Sequence, residues 1–294
     1  MRRHLISSIL TVILALSSLT SLQAQSFSSF ILSGRADNLA MGDISFRTPD
    51  LAAHKVDVAL SFGKWAPQQF NYAALQAGGF LALGERFGIR LDYRNNLFPE
   101  FVQFDANGNE KGTAKPGEQR ILAGVSLKLA DNLYIDVNGK YLMADMAGSK
   151  ASAFAGDVAF NYVKDGMTLG VKAADLGSKY RFSEIGGTAY SLPMRVVAGG
   201  SYCLTPSEKH AVTLGADLGY ILPQEYKAFT AAVGAEYAFN QLVFARAGYH
   251  FSSAIAPRFA SFGLGFAFKG IGLDAAYLLG SSGNAWTVGL HVTL

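Results

Sequence analysis

His250 and Ser252 stand two residues apart, the spacing that puts a general base and a nucleophilic hydroxyl on one face of a strand. Val243, Ala245, Ala247, Tyr249 and Phe251 form the opposite, apolar face, so both polar groups turn inward and a lumenal polar pair is the plainer expectation. His54, His210 and His291 are scattered and show no HExxH or similar spacing, so no metal site is expected. Asp105, Asn107 and Asn109 begin like a calcium loop, but Glu110 takes the glycine position and Pro116 that of the bidentate glutamate. That stretch reads instead as the tip of a hairpin between residues 101–104 and 110–113. With no phosphate-binding glycine loop either, the expectation is a non-enzyme without cofactors.

Strands must position these groups. In residues 285–294, Trp286, Val288, Leu290, Val292 and Leu294 alternate with Thr287, Gly289, His291 and Thr293, the period of two that gives a strand one apolar side. Phe87, Ile89, Leu91 and Tyr93 oppose Gly88, Arg90, Asp92 and Arg94 in the same way, and the pattern persists from residue 55 onward. Only 16% of the residues are charged while 12% are aromatic, and 32 glycines stand against 8 prolines. Beyond residue 24 no apolar run is long enough to cross a bilayer as a helix. Apolar mass spread by alternation over roughly 14 segments of about ten residues predicts an all-β fold, a transmembrane antiparallel β-barrel. Residues 285–294 are expected to pair with 56–62, so that no strand edge is left in lipid. The facing of residues 70–83, which include Gly78 and Gly79, stays ambiguous.

Three regions follow. Residues 1–24, with Arg2 and Arg3, an apolar core over 5–16 and small residues up to Ala24, read as a secretory signal peptide. Residues 25–54 lack the strand pattern and hold a short turn of helix and a loop. Residues 55–294 form the barrel. Connection lengths support it: turns near Gly84, Ala130, Asp165, Pro206, Asn240 and Lys269 are tight, whereas 95–118, 144–151 and 176–193 are longer and fall on the other rim. That parity suits the outer membrane of a Gram-negative cell, with the N-terminus periplasmic. The formal charge of +3 becomes +1 without the two arginines of the leader, so the expected partner is lipid and not nucleic acid. Cys203 stands alone and forms no internal disulfide.

The inward positions carry Asp136, Lys140, Asp157, Lys172, Asp217, Glu236, Arg246, His250 and Asp274. Both signs at small spacing predict an interior filled by ion pairs and a plug, for which residues 25–54 are the candidate, over a wide open pore. On the longest loops Phe98, Phe101, Phe104, Tyr180, Phe182 and Tyr190 are either anchors for a protein partner or the rings of a lid over the barrel.

Three motifs stand together here: Arg35-Ala36 through Met41-Gly42-Asp43-Ile44 to Thr48-Pro49-Asp50; Phe104-Asp105 with Gly108, Gly112, Pro116 and Glu118; and Tyr190-Ser191-Leu192-Pro193. They resemble the PorV/PorQ family of Bacteroidota outer-membrane proteins, its PorV branch most. Leu51-Ala52-Ala53-His54 stands where that family has Asn-Pro-Ala, and the chain is shorter than typical PorV proteins. The resemblance implies a FadL-like barrel of 14 strands with its N-terminal segment near the lumen. It also implies a part in type IX secretion, in which such a barrel binds secreted cargo proteins and passes them to the surface attachment machinery. A FadL-like transporter of small hydrophobic compounds is the alternative. His250-Phe251-Ser252 further resembles the His-x-Ser of the outer-membrane phospholipase A family, but Ser253-Ala254 stands where that family has Asn-Gly.

Overall fold

The computed structural model describes residues 27–65, 72–105, 107–146, 148–183, 189–222, 227–254, 256–281 and 283–294. Residues 1–24, expected to be a leader, lie outside them. Fourteen antiparallel strands close into one barrel. In chain order they are β1 (Val56–Trp65), β2 (Tyr72–Ala82), β3 (Phe87–Leu97), β6 (Gly117–Ala130), β7 (Leu133–Met146), β8 (Ser149–Lys164), β9 (Met167–Gly177), β10 (Arg195–Ser207), β11 (His210–Ile221), β12 (Ala228–Phe239), β13 (Val243–Ser252), β14 (Phe259–Phe268), β15 (Ile271–Gly280) and β16 (Gly283–Thr293). The two remaining strands, β4 (Phe101–Phe104) and β5 (Glu110–Ala114), make the expected separate hairpin between β3 and β6. Each barrel strand pairs with the next, and β1 closes against β16 with Leu60 opposite Leu290 and Lys64 opposite Trp286. The amides of Lys55 and Val56 donate to the Leu294 carbonyl at 2.6 and 3.0 Å, so the closing ladder runs to the last residue.

The outer wall is apolar because alternation puts every second side chain there. Leu91 is 63% exposed and Leu264 68%, and a whole wall of such residues belongs against lipid. Exposed rings gather toward the two rims: Phe62, Tyr93, Phe154, Tyr220, Tyr277 and Trp286 near one, Tyr162, Tyr202, Tyr237, Phe239 and Phe268 near the other. These are the two aromatic girdles of a membrane-spanning barrel. The ambiguity over β2 is resolved: Leu75 and Leu81 face out, while Tyr72, Ala74 and Phe80 face in.

Tight turns at 83–86, 131–132, 165–166, 208–209, 240–242 and 269–270 share one rim, which in outer-membrane barrels faces the periplasm. Pro206, expected at a turn, lies just inside β10. A larger correction concerns residues 144–151, expected to be a long loop. β7 runs on to Met146 and β8 begins at Ser149. Leu142, Ala144, Ala151 and Ala153 are buried toward the interior. This hairpin rises above the girdle residues Tyr141 and Phe154, where the outer face meets water, so Asp145, Lys150 and Ser152 take outward positions beside Met143 and the membrane pattern stops.

The core sits inside the barrel. Residues 27–55 enter the lumen through a 3-10 turn (Ser28–Phe30), α1 (Ala36–Ala40) and α2 (Asp50–Ala53). Helices this short do not hold themselves. Their order comes from the wall around them, and Leu39, Ala40 and Met41 are completely buried.

Candidate functional site

The N-terminal segment, called the plug below for its place inside the barrel, lies against the inner wall, and glycines of that wall make room for it. A Cβ on Gly170 would overlap the Phe46 ring, one on Gly215 the Ile44 side chain, and one on Gly263 the Ala40 methyl. Gly234 and Gly248 face each other across β12 and β13, and a Cβ on either would overlap the backbone of Met41 or Gly42. Gly42 is pressed equally close from its own side. Its φ is +72°, and a Cβ there would lie 2.7 Å from the Val233 carbonyl oxygen and 2.8 Å from the Tyr249 nitrogen, so both conformation and space demand glycine. Just beyond, the Ser261 hydroxyl donates to the Ala40 carbonyl and accepts from the Gly42 amide, each at 3.0 Å.

Charged contacts complete the seat. Arg35 Nη1 meets both carboxylate oxygens of Asp57 at 2.9 Å, and its Nε reaches Asp37 at 3.1 Å. Arg47 bridges Asp37 at 3.0 Å and Glu236 at 3.3 Å. Asp50 pairs with Arg90, and the Ser45 amide donates to Asp217. Polar side chains of the wall also pair among themselves: Arg246 lies 2.6 Å from Glu236, and His291 Nδ1 2.8 Å from Asp274. Two cavities beside the plug, of about 30 and 10 Å³, are lined largely by such groups, including Arg35, Asp57, Ser61 and Asp274. They have the size and polarity of water sites.

The residues that carry the resemblance to PorV/PorQ divide in what they do. Arg35, Met41, Gly42 and Asp50 contact the wall directly. The Asp43 carboxylate accepts from the Ser33 amide within the plug, at 3.1 and 3.2 Å. Pro49 is buried at the start of α2, and Thr48 is exposed.

At the long-loop rim the lumen changes character. Phe27 and Phe30 of the plug pack with Leu142, Ala153, Tyr180, Phe182 and Leu192 in one buried apolar cluster, flanked by Tyr190. The Phe27 amide donates to Glu118 at 2.8 Å, and Arg94 Nη1 donates to the Leu32 carbonyl at 2.7 Å. The guanidinium groups of Arg94 and Arg120 lie 5.5 and 5.6 Å from the centre of the Phe30 ring, close enough for cation–π attraction.

The loop aromatics thus divide. Tyr180, Phe182 and Tyr190 turn inward at the mouth, the ring of Tyr180 lying 5.9 Å from Phe182 and 5.7 Å from Tyr190. Phe98 packs near Trp65 and Tyr72. Phe101 and Phe104 on the β4–β5 hairpin remain 44% and 61% exposed. At the hairpin tip Asp105 accepts from the amides of Asn107 and Asn109 at 2.8 and 2.9 Å. The hydrogen bonds from Asn109 hold its carboxyl below the usual range. His250 and Ser252 are buried as expected, but they bond separately: His250 Nδ1 donates to the Pro257 carbonyl at 2.7 Å, and the Ser252 hydroxyl reaches only the Ala254 backbone at 3.4 Å.

No protein-family model matches the sequence, and comparison with curated proteins finds no match. Solved structures do match. The toluene transporter TbuX of Ralstonia pickettii is 13% identical with a TM-score of 0.60, covering 90% of this chain and all of TbuX. The monoaromatic hydrocarbon channel CymD is 11% identical with a TM-score of 0.62, over 90% of this chain and 98% of CymD. The toluene transporter TodX of Pseudomonas putida gives 13% and 0.52, over 89% and 97%. The chain has the fold of the outer-membrane β-barrels. Identities this low carry the fold and no more.

Proposed function

We propose that this barrel is a FadL-like transporter of small hydrophobic compounds, kept closed by its N-terminal plug. The observation that carries the reading is the buried apolar cluster at the long-loop mouth of the lumen, in which Phe27 and Phe30 of the plug pack against the rings and aliphatic groups around them. A hydrophobic guest would replace two rings with its own surface, and the lid of Tyr180, Phe182 and Leu192 would shield it from water. Similarity in fold to hydrocarbon transporters supports the same reading. In cells lacking other hydrocarbon channels, the barrel should raise uptake of labelled toluene several-fold. Phe27→Ala/Phe30→Ala, which would open space within the mouth cluster, should raise it further. Uptake no faster than in cells without the barrel, for both proteins, would sink the proposal.

A second reading has its own support. Phe101, Val102 and Phe104 are exposed on a hairpin that stands apart from the barrel sheet, and clustered apolar side chains there suit a protein partner. This fits the type IX role of receiving cargo, a role suggested by the resemblance to PorV/PorQ. Removing residues 101–114 should then reduce surface display of type IX cargo while leaving toluene uptake intact. Unchanged display would end that reading.

A further inference from the structure

We infer that the outward face beside the upper end of β8 is a binding site for the phosphate groups of the outer-leaflet glycolipid, lipid A. The loop after β9 does not leave the wall at once. The Ser178 amide donates to the Phe154 carbonyl at 3.0 Å, and the Ser183 amide to the Lys150 carbonyl at 3.0 Å. The Lys150 amide in turn donates to the Ser183 hydroxyl at 3.2 Å, and the Phe154 amide to that of Ser178 at 3.2 Å. Residues 178–183 are thereby fastened alongside β8. Burial of Tyr180 and Phe182 in the mouth cluster fixes the facing of this segment, which turns Lys179 and Arg181 to the outside, where both are exposed. On β8 the outward positions of the same region are Lys150, Ser152 and Phe154.

Three cations therefore share one patch, and none makes an ion pair within 4 Å among the described residues. The acid opposite Lys150 in the ladder is Asp145, and its carboxylate is turned to the Gly148 amide at 2.9 Å. This contrasts with the lumen, where arginines and lysines are repeatedly ion-paired. Height in the membrane decides what meets the patch. Phe154, 69% exposed, stacks near Tyr141 with ring centres 4.9 Å apart, and girdle rings mark the boundary between acyl chains and headgroups. Lys179 lies one residue past Ser178, which bonds Phe154, while Arg181 lies three residues past Ser178 and Lys150 four residues from Phe154 along β8, so all three cations rise from that boundary into the headgroup layer. In the outer leaflet of an outer membrane the anionic headgroup there is a phosphorylated glycolipid, and Arg and Lys are the side chains suited to phosphate.

The test uses the full refolded barrel in detergent micelles, titrated with lipid A and with its dephosphorylated form. Wild type should prefer the phosphorylated lipid. Lys150→Gln/Lys179→Gln/Arg181→Gln should lose on the order of a hundredfold in affinity, about fivefold per cation, and keep its heat-modifiable gel mobility. Inorganic phosphate bound as tightly as lipid A would point to a free-anion site and overturn the assignment to lipid. Equal binding of lipid A by the two proteins would overturn it as well. If the triple variant does not fold, Lys179→Gln alone, at an exposed loop position, should still lose several-fold, and an unchanged affinity there would count against the site.

Discussion

Gly248→Val is expected to turn a closed barrel into a leaking one. The valine Cβ would overlap backbone atoms of Met41 and Gly42, and backbone cannot rotate aside as a side chain can. Something must move. β13 is tied by complete ladders to β12 and β14, whereas the plug at this point is held by the two Ser261 hydrogen bonds and more distant ion pairs. The burial of Leu39 and Met41 also holds it, but these contacts can be given up a few at a time, whereas shifting β13 breaks two ladders of backbone hydrogen bonds at once. The plug is the part that yields. Liposomes carrying the variant should swell in small sugars at least tenfold faster than those carrying wild type, with the barrel still folded. Gly139→Ala is the control, because Gly139 faces outward and a Cβ there finds only the Ala123 carbonyl oxygen at 3.8 Å. Swelling of the folded Gly248→Val barrel at the wild-type rate would mean that the plug is not what closes the lumen.

The same glycines explain how far the sequence could be read. The barrel was legible because lipid imposes one rule on every strand, and a local rule repeated 14 times is hard to miss. Residues 25–54 stood out by default, as the stretch after the expected leader without that rule. Their seat did not. A lumenal glycine such as Gly234 or Gly263 looks like any other small inward residue, and the reason for it lies some 200 positions away in Met41 and Ala40. Pairwise complementarity between distant segments leaves no periodic trace. The hairpin at residues 144–151 was misread for a different reason. Above the girdle the outer face is wet, so Lys150 and Ser152 take outward positions that Phe154 and Phe160 take below. Alternation persists, but the sign of the outside reverses, and a strand then looks like a loop. The lid follows the same inverted pattern, with Tyr180 and Phe182 inward and Lys179 and Arg181 outward.

Lys140→Met is expected to destabilise the barrel most among changes to its wall charges. The ammonium lies 2.7 Å from Asp157 and 2.7 Å from Asp175, and all three side chains are 5% exposed or less. Removing one member of a buried pair costs about 3–5 kcal/mol, because the partner keeps its charge and loses its compensation. Here two carboxylates would be left, with Arg195 3.6 Å from Asp175 and Lys172 4.0 Å from Asp157 as remaining relief. The damage would centre on the β8–β9 bulge, where pairing shifts between Gly156 and Val158. Asp175 sits there at φ +58°, and its amide donates to Asp157 at 2.9 Å. That bulge feeds directly into residues 178–183, so a loosened bulge loosens the lid. The urea midpoint of the variant should fall clearly. Lys140→Met/Asp157→Asn, which removes one stranded charge and keeps an acceptor for the Asp175 amide, should recover part of the loss, the non-additivity expected of groups in contact. An unchanged midpoint for the single variant would show that Lys172 and Arg195 alone suffice to balance the two carboxylates.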